Sequence, residues 1–142
     1  MTYEEVISSL QALEEKDFGD YVPNQLYQLT EALMELPSPE RAIPELFAVM
    51  ERFPDAELGT PGPLVHTLEC MDYAEELVAS LRRRPTPHAV WMVNRILNTA
   101  LPPERRQFYL NLLASVEHHP TATESARDRA EDYLEFQSTG ND

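Results

Sequence analysis

Three strings in this chain close in the same way: ELFAVMERFP at residues 45–54, ELVASLRRRP at 76–85 and NLLASVEHHP at 111–120. Aligned on Pro54, Pro85 and Pro120, which lie 31 and 35 residues apart, they place leucine at Leu46, Leu77 and Leu112 and alanine at Ala48, Ala79 and Ala114. The apolar register is Ile43, Leu46, Phe47, Met50, then Ala74, Leu77, Val78, Leu81, then Tyr109, Leu112, Leu113, Val116. Each set runs i, i+3, i+4, i+7, which is one buried stripe of an α-helix. Each string then meets a proline, which cannot continue the helix.

The segments between the strings carry the same period. NQLYQLTEALMELP sets Leu26, Leu29, Leu33 and Leu36 on one face, and PTPHAVWMVNRILN does so with Ala89, Met92, Val93 and Ile96. The second is rich in β-branched residues, and its continuation through Leu97 favours a helix over a strand. Thr2 with Glu5, Asp72 with Glu75 and Thr121 with Glu124 have capping-box spacing. Ser38-Pro39 and Thr86-Pro87 place a capping hydroxyl before a first-turn proline. With four glycines and no alternating strand pattern, the reading is all-α with about eight helices and no sheet. The expected helices lie near 2–17, 24–36, 39–53, 62–70, 73–84, 87–100, 103–118 and 122–137, with Pro44 kinking the third or moving its start. Paired helices at this period imply a stacked array, since one pair cannot bury its apolar face alone. The expected organisation is a single domain over 1–137 with a flexible tail at 138–142.

Charge is distributed as unevenly as it is large. Of the net −14, residues 1–76 account for all: seventeen acids against Lys16, Arg41 and Arg52. Residues 77–106 carry six arginines and one acid, Glu104, and 107–142 return to two arginines against seven acids. Such a field attracts basic partners and repels polyanions, which argues against direct binding of DNA or RNA. Arg82, Arg83 and Arg84 fall in a last helical turn, where cations complement the helix dipole or pair with nearby acids. No apolar run reaches membrane-spanning length, and MTYEEVISSL lacks the basic start of a secretory leader. With a single cysteine, Cys70, the chain reads as cytoplasmic.

Catalytic and cofactor motifs do not emerge. LGTPGP has no lysine and its prolines donate no N–H to a phosphate. His66, Glu69 and Cys70 share a helical face, yet no second cluster completes a tetrahedral metal site, so a buried thiol and a half-buried histidine are expected. The chain is therefore read as non-enzymatic, with no catalytic residue, metal or cofactor. What remains is surface recognition. Asp55, Glu57, Glu69, Asp72, Glu75 and Glu76 lie in a 22-residue stretch without a basic residue, and they form the candidate partner-binding patch with Trp91.

A short acidic helical array with LGTPGPLVHTLE at its middle joint and PTPHAVWMVNRILN two helices later resembles the HEAT-like, all-α immunity proteins of bacterial polymorphic-toxin systems. The resemblance covers roughly residues 24–137. It implies a short right-handed α-solenoid of HEAT-like repeats. It also implies a non-enzymatic cytosolic protein that binds a cognate, basic toxin effector domain and blocks it. It supplies no catalytic residues. The alternative is a general helical-repeat adaptor for protein–protein interaction.

Overall fold

The computed structural model describes residues 1–139. Among these, eight α-helices and no strand are present: α1 Tyr3–Gln11, α2 Asn24–Met34, α3 Ile43–Arg52, α4 Gly62–Glu69, α5 Ala74–Arg83, α6 Pro87–Leu97, α7 Pro103–Val116 and α8 Glu124–Thr139. The all-helical reading and the count of eight therefore hold. None of the helices is long and apolar enough to cross a membrane. The described residues form two compact units, one of residues 1–76 and one beginning at Leu77, each described separately below.

In the first unit α1 packs on α2 and α3, while α4 packs on α2 and α3. Burial follows the periodic positions: Leu26, Leu29 and Leu33 of α2, and Leu46, Phe47 and Met50 of α3, are all buried. Leu36 lies past the end of α2 and is only half-buried. The capping box at the start of α1 forms as expected, with Thr2 Oγ1 accepting from the Glu5 N–H at 3.1 Å and Glu5 Oε1 from the Thr2 N–H at 3.0 Å. The reciprocal bond from Thr2, chiefly its N–H and then its hydroxyl, holds the exposed Glu5 carboxyl below the ordinary glutamate range.

The first helix is shorter than expected. It stops at Gln11, and a short 3-10 turn follows at Glu15–Asp17. Continuing it would set Glu14 and Glu15 at the negative end of the helix dipole, where carboxylates are disfavoured. The guanidinium of Arg52 instead reaches across from the end of α3 and donates to the carbonyls of Leu10 at 2.8 Å, Gln11 at 3.1 Å and Leu13 at 3.4 Å. It thereby satisfies acceptors that a helix C-terminus leaves open.

Pro44 moves the start of its helix and does not kink it. A 3-10 turn at Pro39–Ala42 precedes α3, and Pro44 falls in the first helical turn, where its missing N–H has no partner to lose. Ser38 does not act as the expected cap. It lies in the left-handed region (φ 53°), and its side chain makes no capping bond.

In the second unit α6, α7 and α8 pack against one another. Thr86 caps α6 as expected, its hydroxyl accepting from the Ala89 N–H at 3.3 Å. The stripe Tyr109, Leu112, Leu113, Val116 is fully buried. In α8, Ala126 and Ala130 are buried, while Glu124, Asp128, Glu131 and Glu135 are exposed. The capping residue of α8 is Thr123 and not Thr121: its Oγ1 accepts from the Ala126 N–H at 3.1 Å. Thr121 Oγ1 donates instead to the Arg83 carbonyl at 2.9 Å, and His119 Nε2 lies 2.6 Å from the Arg82 carbonyl. Because the Thr121 N–H donates to His119 Nδ1 at 3.1 Å, the imidazole proton sits on Nε2 and is given to Arg82. The closing strings of α5 and α7 are thus tied by backbone carbonyls. Ser138 and Thr139, expected in the tail, belong to α8, and residues 140–142 of that tail lie outside the described residues.

A glutamine near the chain end locks α8 onto α6. Gln137 is buried, and its amide nitrogen donates to Asn94 Oδ1 at 2.8 Å and Asn98 Oδ1 at 2.9 Å. Arg106 Nη2 donates to Gln137 Oε1 at 3.1 Å, while Arg106 Nη1 donates to the Leu97 carbonyl at the end of α6 at 3.2 Å.

Candidate functional site

The acids expected to form the partner surface sit at successive joints of the first unit. Asp55 and Glu57 occupy the connection after α3, Glu69 ends α4, Asp72 precedes α5, and Glu75 and Glu76 form its first turn. In that turn their charge favours the helix N-terminus. Asp55, Glu57, Asp72 and Glu75 are exposed, and Glu69 and Glu76 are half-buried. Glu57 also has a local task, since its Oε1 accepts from the Gly59 N–H at 2.9 Å. Trp91 belongs to the second unit, where it is half-buried with the Arg95 guanidinium 5.1 Å from its ring centroid.

The first unit also contains an open groove of about 880 Å³ between α2 and α4, and none of those six acids lines it. One wall is a face of α2, with Tyr27, Glu31, Met34 and Glu35 at i, i+4, i+7 and i+8. The other wall is α4, presenting His66 and Cys70, and Gly59 to Pro63, which lead into and begin α4, complete the lining. Gly59 has φ +97°, and a Cβ there would meet the Gly62 Cα at 2.3 Å, so this bend admits only glycine.

Several groove residues depart from expectation. Cys70 and His66 are exposed, whereas the thiol was expected buried and the histidine half-buried. The reason is that α4 buries Leu64, Val65, Thr67 and Leu68, which turns residues 66 and 70 outward. Glu69 does not join them, and no group of three or more His, Cys, Asp or Glu among the described residues is placed to hold a metal ion. Tyr27 and Met34 are exposed at 44% and 39%. The sequence carried a signal for this wall: an aromatic and a methionine seven residues apart on the face of α2 that the leucine stripe does not use.

Groove charge is one-sided. Glu31 and Glu35 are acceptor-only carboxylates. The Thr30 hydroxyl is turned back onto its own helix, to the carbonyls of Leu26 and Tyr27, each at 3.1 Å. Pro61 and Pro63 have no N–H to offer. None of the unit's three cations lines the groove, and each has a contact elsewhere: Lys16 Nζ with Glu14 at 3.7 Å, Arg41 over the Tyr3 ring at 3.9 Å, and Arg52 on the carbonyls that end α1. Compared with protein-family models, curated proteins and solved structures, the chain matches none.

Proposed function

We propose that this chain is a non-catalytic immunity protein that binds and neutralises a cognate, basic bacterial toxin domain in the cytoplasm. The observation that carries the reading is the unbalanced charge of residues 1–76, seventeen acids against three cations, with each cation engaged in a contact of its own. Such a surface steers a basic protein toward it and disfavours polyanions. A HEAT-like arrangement of the helices is part of the same proposal, supported by the three strings that end at Pro54, Pro85 and Pro120.

The test is capture from the native host at low and high salt, followed by expression of each captured partner alone and together with this chain. A basic partner that arrests growth alone and is tolerated in co-expression supports the reading. The triple variant Asp72→Asn, Glu75→Gln, Glu76→Gln should then bind it more weakly and with a shallower salt dependence. Partners that are harmless when expressed alone would overturn the proposal in favour of a general adaptor.

A further inference from the structure

Resting on that reading, we infer that the groove between α2 and α4 is the docking site for an extended basic segment of the partner protein, anchored by an apolar side chain. Two independent features select this occupant. The first is chemical: the groove offers two carboxylates and no basic wall residue other than His66, while the unit's cations have contacts outside it. An occupant supplying positive charge complements it, and an acidic one does not. The second is the apolar surface on the same wall. Tyr27 and Met34 are among the large apolar side chains left exposed, and both face the groove. An aromatic and a methionine suit an apolar anchor.

Spacing refines the segment. Glu31 and Glu35 are one helical turn apart, about 6 Å of rise, and alternate side chains on one face of an extended chain repeat at about 6.7 Å. Two basic residues separated by one residue therefore meet both carboxylates. From Tyr27 to Glu35 the wall rises about 12 Å, the length of roughly four extended residues. An apolar residue two positions before the first basic one falls beside Tyr27. The single cysteine lies on the opposite wall, so it reports occupancy directly.

The probe is a fluorescein-labelled peptide, Leu-Ser-Arg-Ser-Arg-Leu, followed by anisotropy and by the rate of Cys70 alkylation. Binding should slow alkylation, and replacing both arginines by glutamine or both leucines by serine should abolish it. The variant Glu31→Gln, Glu35→Gln should weaken the peptide roughly tenfold, the effect of two partly screened ion pairs. Tyr27→Ser with Met34→Ser should weaken it at unchanged charge. The control, Asp128→Asn with Glu131→Gln in α8, removes the same charge outside the groove and should leave binding unchanged. Equal weakening by the control, or full binding with Cys70 still reactive, would overturn the groove assignment. A captured toxin that binds Glu31→Gln, Glu35→Gln at full affinity would also overturn it while leaving the immunity reading intact. Peptide binding with no toxin captured would do the reverse.

Discussion

Replacing Gln137 with leucine should loosen the hold of α8 on α6, and the size of the effect follows from the environment of each lost bond. Leucine keeps the approximate volume and removes both amide groups. Asn94 is only 8% exposed, so its Oδ1 is orphaned, at a cost of about 2 kcal/mol. Asn98 is exposed and water replaces most of its bond, leaving about 0.5 kcal/mol. Half-buried Arg106 loses a charge-assisted bond to Oε1 but keeps its bond to the Leu97 carbonyl, a loss of about 1 kcal/mol. The added apolar burial returns about 1 kcal/mol. The net is a destabilisation of roughly 2.5 kcal/mol, or about 7 °C in Tm at about 3 °C per kcal/mol for a chain of this size. Urea titration by circular dichroism measures it, and native-state hydrogen exchange should place the lost protection in α8. Adding Asn94→Leu removes the orphaned acceptor, so the double variant should be less destabilised than the sum of the singles by at least about 1 kcal/mol. Strict additivity, or a single-variant effect below about 0.5 kcal/mol, would refute the claim that this buried amide holds the helix pair.

Arg52→Met should cost about 1–2 kcal/mol and accelerate amide exchange in α1, because the carbonyls of Leu10, Gln11 and Leu13 lose the guanidinium, Leu10 keeping only a backbone donor. Arg52→Lys should recover only part, since an ammonium lacks the planar fork. Thr86→Ala should lower stability by about 1 kcal/mol in thermal unfolding, whereas Ser38→Ala should change it by less than about 0.5 kcal/mol, since only Thr86 makes a capping bond. Glu5 has its folded-state carboxyl held below its ordinary range, so its contribution to stability is complete above the unfolded value and is lost as pH falls through the folded one. A carbon-detected NMR titration should show this lowered midpoint, and Thr2→Ala should return it part of the way, because the Thr2 N–H still donates.

Helix identity was legible in the chain because it is a local property. The i, i+3, i+4, i+7 spacing of Leu46, Phe47 and Met50 in α3, and of Leu112, Leu113 and Val116 in α7, specifies a buried stripe whatever the helix packs against. Thr2 and Thr86 were readable as caps for the same reason: each bonds within three residues of itself. Ser38 and Thr121 carried the same local signature. Thr121's hydroxyl is taken by the Arg83 carbonyl, 38 residues away, and Ser38 stands in the left-handed region, where its side chain makes no capping bond.

Long-range contacts decided the rest. Arg52 reaches back 42 residues to the Leu10 carbonyl, and Gln137 reaches back 43 to Asn94. Nothing in the spacing of these residues signals the pairings, because they depend on which helix ends meet in space. The groove is of the same kind. Acid density pointed to residues 55–76, since composition registers charge and not concavity. The face formed by Tyr27, Glu31, Met34 and Glu35 becomes one side of a groove only because α4 packs beside α2. Charge and periodicity are sums over the sequence and survive without coordinates. A cavity is a relation between surfaces, and it exists only once the helices that bound it have been placed.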